Sequence, residues 1–238
     1  MDKKAERIQT SFLNGVERKV LVWLAERQPK WVTSDMLTWL GTFGSALIAL
    51  GYILCHLSPC WLWLSTFGLI VNWYGDSLDG TLARVRKTQR PIYGYYLDHT
   101  VDGINETLMF VGIGLSPYLN LYTALAMLVV YLQLTLNVSM NAHLKSEFKL
   151  TYAGLGPTEF RIVVMILNTL LFFIKPWQQF EQVTHFLGKT VFLHALDYPG
   201  LVILLILVLI YFVTIFKDAR HYAKIDPMPK HKEESCRS

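Results

Sequence analysis

YGDSLDGTLARVRKTQRPIYGYYLDHTVDG, residues 74–103, places four aspartates, Asp76, Asp79, Asp98 and Asp102, beside stretches apolar enough to lie in lipid. Asp76 and Asp79 are three residues apart, and Asp98 and Asp102 are four apart. Each spacing puts a pair on one face of a helix. An arginine-rich segment, Arg84 to Arg90, separates the pairs. Two neighbouring helices joined by such a short link can bring both faces together. Four carboxylates would then converge near one mouth of a helical bundle.

The rest of the chain supports a bundle in a membrane. It has 238 residues, 53% of them hydrophobic and 17% charged, with a mean hydropathy of +0.33. That is too apolar for an ordinary soluble domain. Crossing the bilayer core takes about 20 apolar residues, and such runs are expected at 36–55, 60–82, 94–115, 119–141, 160–176 and 197–216. The fold class expected is an all-α integral membrane protein with six transmembrane helices. Prolines punctuate the turns: Pro59, Pro117, Pro176 and Pro199 on one side, and Pro29, Pro91 and Pro157 on the other. The polar segment from Met1 to Arg18 has no apolar stretch of the kind a cleavable signal peptide carries.

Charge sets the orientation. Of the 22 lysines and arginines, only Lys175 and Lys189 fall on the side opposite the termini. The positive-inside bias puts both termini and the aspartate-rich segment in the cytoplasm. The cations follow the membrane plane, so the net charge of +4 points to phospholipid headgroups and not to nucleic acid. Cys55 and Cys60 flank an outer hairpin, and unpaired thiols are the plainer reading there. No cysteine or histidine spacing suggests zinc.

In residues 5–28, Ile8, Phe12, Val16, Val20 and Leu24 recur at helical spacing, widened by Leu13, Leu21 and Trp23. This stripe predicts an amphipathic helix in the interface plane. The organisation expected is an interfacial region at 1–30, one six-span domain at 31–220, and a charged cytoplasmic tail at 221–238, disordered from Asp226. Asn72, Asn105 and Glu106 stand out as polar residues in or near spans.

Four converging carboxylates repel one another in a low-dielectric site unless cations lie between them. Hard oxygen ligands suit magnesium or manganese. Four carboxylates can hold two ions, and two ions clamp a phosphoryl centre during displacement. Gly80 and Gly94 leave room for a ligand near backbone, Ala83 is small on the same face, and Arg84 offers a planar fork to a pyrophosphate. Arg86, Lys87 and Arg90 read as ordinary cytoplasmic-loop cations.

Asp76, Asp79, Gly80, Ala83, Arg84, Gly94, Asp98 and Asp102 spell D-x2-D-G-x2-A-R-x9-G-x3-D-x3-D. This resembles the signature of the CDP-alcohol phosphotransferases, also called CDP-alcohol phosphatidyltransferases. WVTSDMLTWLG at 31–41 is similar to the segment opening that family's first span, with Ser-Asp where Pro-Asn or Pro-Asp is usual. The resemblance implies that a CDP-alcohol, usually CDP-diacylglycerol, passes its lipid phosphoryl group to a second, polar alcohol and releases CMP. Asp76, Asp79 and Asp98 would be metal ligands. Asp102 would also reach a metal and is the family's usual candidate for the base. Together with the metal ligands, Gly80, Ala83, Arg84 and Gly94 would line the CDP site. The resemblance further implies a homodimer and, for this short form, a bacterial inner or cytoplasmic membrane.

For the acceptor, inositol phosphate is the expectation, with glycerol 3-phosphate or serine as alternatives. PTEFRIVVMI at 157–166 is similar to the segment opening the fifth span of inositol-phosphate-using members, with Phe160 interposed between Glu159 and Arg161. Lys145, Arg161 and Arg220 stand near cytoplasmic ends of spans and could hold an acceptor phosphate. A cation transporter or channel would also place acids in spans, without needing Gly80, Ala83 and Arg84. Intramembrane prenyltransferases, which also use metal-bound aspartate pairs, lack that Gly-x2-Ala-Arg element.

Overall fold

The structure is a computed structural model and describes residues 6–8, 14–145, 147–149, 157–186 and 189–228. The helices are α1 (Asn14–Arg27), α2 (Ser34–Leu54), α3 (Leu62–Val85), α4 (Pro91–Gly114), α5 (Leu121–Lys145), α6 (Pro157–Phe173), the single turn α7 (Lys175–Gln178) and α8 (Asp197–Ile225). Short strands β1 (Glu6–Ile8) and β2 (Glu147–Lys149) pair in parallel, and β3 (Glu181–Phe186) and β4 (Lys189–His194) form an antiparallel pair.

Local chemistry marks the helix boundaries. The Thr33 hydroxyl accepts from Met36 N at 3.2 Å and caps α2, with Asp35 in the first turn. Ser58 and Pro59 open a 3-10 turn, Pro59–Trp61, that leads into α3. The α3–α4 link is held to a tight course by Lys87, which adopts a φ of 56°. Pro91 then occupies the first turn of α4, where its missing N–H costs nothing.

Packing proceeds outward from α2 and α3. Gly41, Gly44 and Ser45 of α2 meet Gly68, Asn72 and Gly75 of α3, all buried. A Cβ at Gly68 would lie 2.7 Å from Ile48 N and 2.8 Å from Gly44 O, and one at Gly75 would overlap the Gly41 backbone. Small residues let the two backbones touch, as they do where membrane helices pack. α4 lies on α2 and α5, α8 on α5, and α1 and α6 on α3.

Two apolar clusters mark the ends of the bundle. Leu21 and Ala25 of α1 join Val32, Leu37, Leu78 and Leu82 at one end. Tyr52, Leu62, Tyr118 and Leu196 belong to the cluster at the other. At that second end Asp197 gathers the Asn120 N–H, the Thr123 hydroxyl and the His194 N–H, tying the α4–α5 link and β4 to the start of α8.

Among the described residues three helices are long and apolar enough to cross a membrane: Ser34–Leu54, Leu121–Ala142 and Asp197–Ile225. The remaining three expected spans differ for physical reasons. α3 and α4 carry the aspartates, with Arg84 and Glu106 besides, and α6 has 17 residues.

Other expectations shift. The helix expected over 5–28 runs from Asn14, and Glu6–Ile8 is strand. Its apolar stripe divides: Leu21 and Leu24 pack toward α3, while Val16, Val20 and Trp23 are exposed, and Phe12 and Leu13 lie outside the described residues. Glu181–Phe186 and Lys189–His194 pair as antiparallel strands where only a connection was expected. The β-branched and aromatic residues Val183, Thr184, Thr190, Val191 and Phe192 favour it. The tail expected from 221 is helical to Ile225, because Asn141 of α5 holds both Asp218 and Tyr222. Residues 229–238 lie outside the described residues. Cys55 and Cys60 are unpaired.

Candidate active site

At the end of the bundle where α1 lies, α3 and α4 bring three acids to one point. Asp76, Asp98 and Asp102 each offer a carboxylate oxygen, and the three oxygens lie within 4.8 Å of one another. All three residues are half-buried. The spacing explains the meeting: Asp98 and Asp102 sit one turn apart on α4, and Asp76 faces them from α3.

Arg161 of α6 reaches the same point. Its Nη2 donates to Asp76 Oδ2 at 2.5 Å, and its Nε donates to Asn72 Oδ1 at 2.9 Å. Asn72 is itself fixed, since its Nδ2 donates to Gly41 O (3.1 Å) and to Ser45 Oγ (3.0 Å). The small-residue seam between α2 and α3 therefore positions Asn72, which positions Arg161. Arg161 Nη1 is buried and has no hydrogen-bond partner among the described residues.

Asp79 stands one turn further along α3, outside this three-oxygen group. It is buried, and its Oδ2 accepts from the Thr38 hydroxyl of α2 at 2.7 Å. Its Oδ1 accepts from Gly80 N, and Ser34 donates to its backbone carbonyl at 2.9 Å. The structure thus gathers three of the four expected acids and holds the fourth beside them through a hydroxyl.

The remaining expected residues fall into two sets. A Cβ at Gly94 would meet nothing within 4 Å, and one at Gly80 would meet only Arg84 Nη1 at 3.4 Å, so both glycines border open space. Ala83 is half-buried beside them. Arg84 is exposed and donates to the Thr81 hydroxyl at 2.8 Å. Of the three cations expected to hold an acceptor phosphate, Arg161 is brought to the acids. Arg220 is exposed on α8, two residues from Asp218, which anchors that helix to α5. Lys145 ends α5, and its side chain lies outside the described residues.

Sequence reasoning missed Thr38 and the Glu106–Thr135 pair, in which the Thr135 hydroxyl of α5 donates to Glu106 Oε1 at 2.9 Å. A signal for Thr38 was present. Ser34, Thr38, Gly41 and Ser45 form a stripe of small and polar residues at helical spacing along α2.

The donor set suits hard divalent cations. Three carboxylates meet with one arginine between them, which leaves net negative charge in a partly buried site.

The fold and site define a helical membrane bundle in which two neighbouring helices converge aspartates on one point, and the sequence comparisons give its family. The chain belongs to the CDP-alcohol phosphatidyltransferase family, whose model matches residues 31–215. The match takes in every residue of the aspartate signature and Arg161. A stretch of 84 residues is 36% identical to phosphatidylinositol phosphate synthase of Cutibacterium acnes, covering 35% of this chain and 38% of that protein. A stretch of 96 residues is 30% identical to cholinephosphotransferase 1 of Gallus gallus, covering 38% of this chain and 28% of that protein. Each match spans well under half of the relative's length. The family uses divalent metal ions and acts in membranes.

Proposed function

We propose that the chain moves the phosphatidyl group of CDP-diacylglycerol, or a related CDP-alcohol, to a polar alcohol with release of CMP, and that inositol phosphate is the acceptor. The observation that carries this reading is the meeting of the Asp76, Asp98 and Asp102 carboxylates, with Asp79 held beside them. In this reading Asp76, Asp79, Asp98 and Asp102 hold two magnesium or manganese ions, which would supply the positive charge that neutralises the pyrophosphate. Gly80, Ala83 and Gly94 leave room for the nucleotide, and Arg84 lies where it can reach the phosphates.

The attacking hydroxyl oxygen forms a bond to the phosphorus carried by the lipid, and the bond from that phosphorus to the CMP oxygen breaks. Asp102 takes the hydroxyl proton. Arg161 keeps Asp76 aligned and offers Nη1 to the acceptor phosphate. That nitrogen favours a phosphorylated acceptor over serine, and the similarity to a phosphatidylinositol phosphate synthase favours inositol phosphate over glycerol 3-phosphate. Lys145 and Arg220, at the ends of α5 and α8, would add to the phosphate field.

The same reading has all six long helices crossing the bilayer, α1 lying in the interface with Val16, Val20 and Trp23 toward lipid, and the acids on the cytoplasmic face. It also has the chain working as a homodimer in a bacterial inner or cytoplasmic membrane.

The experiment is CMP release by purified protein in CDP-diacylglycerol vesicles. It should require an acceptor, stop in EDTA and return with magnesium or manganese. Ion flux without CMP release would point to a transporter instead. For orientation, cysteines placed at Lys87 and Lys230 should be labelled from the cytoplasmic face only, and one at Gly188 from the other face only.

A further inference from the structure

Glu106 lies four residues beyond Asp102 on α4, one turn deeper in the bundle. Thr135 of α5 satisfies its Oε1, while its Oε2 is buried and accepts no hydrogen bond among the described residues. The neighbouring Asn105, also buried, has its Oδ1 in the same state. A buried carboxylate oxygen without a donor is costly, and a structure that retains one needs a reason. The aspartate signature does not include Glu106, and the three-acid meeting point does not need it.

Tyr131 sits on α5 one turn before Thr135, and the Phe110 ring of α4 lies 5.7 Å from its ring between centroids. Glu106 Oε2 is an acceptor without a donor, and Arg161 Nη1, on the side chain that pairs with Asp76, is a donor without an acceptor among the described residues.

We infer that Glu106, braced by Thr135, accepts a hydrogen bond from a second hydroxyl of the acceptor alcohol, so that the site selects polyols. A hydroxyl can donate to the orphan carboxylate oxygen while Arg161 Nη1 stays with the acceptor phosphate. An ammonium would meet the field of Arg161. The inference rests on the transferase reading above and names a specificity determinant within it.

The test uses purified full-length protein in CDP-diacylglycerol vesicles with manganese and two acceptors. Inositol phosphate carries several hydroxyls. 2-Hydroxyethyl phosphate carries the attacking hydroxyl and the phosphate but no second hydroxyl. Glu106→Ala should raise the KM for inositol phosphate by about tenfold or more, as expected for a lost hydrogen bond to a charged group. It should leave the KM for CDP-diacylglycerol and for 2-hydroxyethyl phosphate unchanged. Glu106→Gln, which keeps an oxygen acceptor, should recover part of the loss.

An equal loss with both acceptors, a shift in the KM for the CDP-lipid, or a fall in thermal stability alone would mean that Glu106 only braces α4 against α5, and would overturn the inference. If neither variant folds, the wild type still decides: use of 2-hydroxyethyl phosphate, or of ethanolamine, as readily as inositol phosphate overturns it. Acceptor-dependent CMP release with no preference for polyols defeats this inference alone, whereas absence of any CMP release defeats the transferase reading and this one with it.

Discussion

Asp197, at the hairpin end of the bundle, is fully buried and surrounded by donors. It accepts from Asn120 N at 3.1 Å, from the Thr123 hydroxyl at 2.6 Å and from His194 N at 2.7 Å. Asp102, at the opposite end, receives no hydrogen bond among the described residues and faces Asp76 and Asp98 instead. Burial makes a carboxylate costly in both places, and the two ends deal with it differently. Asp197 is satisfied by its own fold and joins three segments. The acids at the other end face each other, an arrangement that a folding role alone does not explain. A carboxylate's partners, more than its depth, separate the structural acid from the functional one.

The largest expected effect breaks that comparison directly. Asp98→Asn or Asp102→Asn should reduce acceptor-dependent CMP release by on the order of a thousandfold or more, since the residues act as a unit. Either change removes a like charge, so thermal stability measured in EDTA should stay the same or rise. A variant that loses stability in step with activity would place these acids in the same class as Asp197.

The reciprocal change comes next. Asp197→Ala strands two backbone N–H groups and a hydroxyl, and should cost about 3 kcal/mol of stability in thermal unfolding. CMP release per folded molecule should be retained, because the hairpin end takes no part in the chemistry.

Thr38 tests the boundary between the two kinds of acid. Asp79 belongs to the aspartate signature yet is held by a hydroxyl, as Asp197 is. Thr38→Val keeps the shape and removes the donor. If Asp79 ligates metal, the manganese concentration for half-maximal activity should rise by about tenfold, the usual cost of losing a residue that orients a ligand. No change in metal dependence, with a loss of stability alone, would make Asp79 structural.

The sequence made the aspartates legible because their spacing is a property of one helix at a time. Helical period alone placed Asp98 and Asp102 together and left Asp76 and Asp79 facing one way. Partners from distant segments were not legible. Asn72 stood out as a polar residue in an apolar run, but its bonds to Gly41 and Ser45 depend on how closely α2 approaches α3. Arg161 was expected to hold an acceptor phosphate, and its pairing with Asp76 needed the α3–α6 contact. The antiparallel pair Glu181–Phe186 and Lys189–His194 was hidden because short alternating runs compete poorly, in a reading by hydropathy, with the apolar helices on either side.

Arg86 and Arg90 give the smallest test, because both read as loop cations serving orientation. Arg86 donates from Nη1 to Val32 O at 2.5 Å, and from Nη2 to Gln28 O at 3.0 Å and Pro29 O at 2.8 Å, which pins the α1–α2 link against the end of α3. Arg90 pairs with Asp35 in an exposed ion pair and lies over the Tyr93 ring. Arg86→Lys preserves the charge but not the planar fork that reaches several carbonyls at once. It should cost about 1 kcal/mol in thermal unfolding, the net worth of a hydrogen bond or so. Arg90→Lys should leave stability unchanged, because exposed pairs contribute little. Neither change should alter the labelling pattern of the orientation cysteines, since both keep the positive charge on the same side. An unchanged melting curve for Arg86→Lys would return Arg86 to the role of a loop cation and leave the α1–α2 link held by the apolar contacts of Leu21, Ala25 and Val32 and by the Gln28–Tyr74 hydrogen bond.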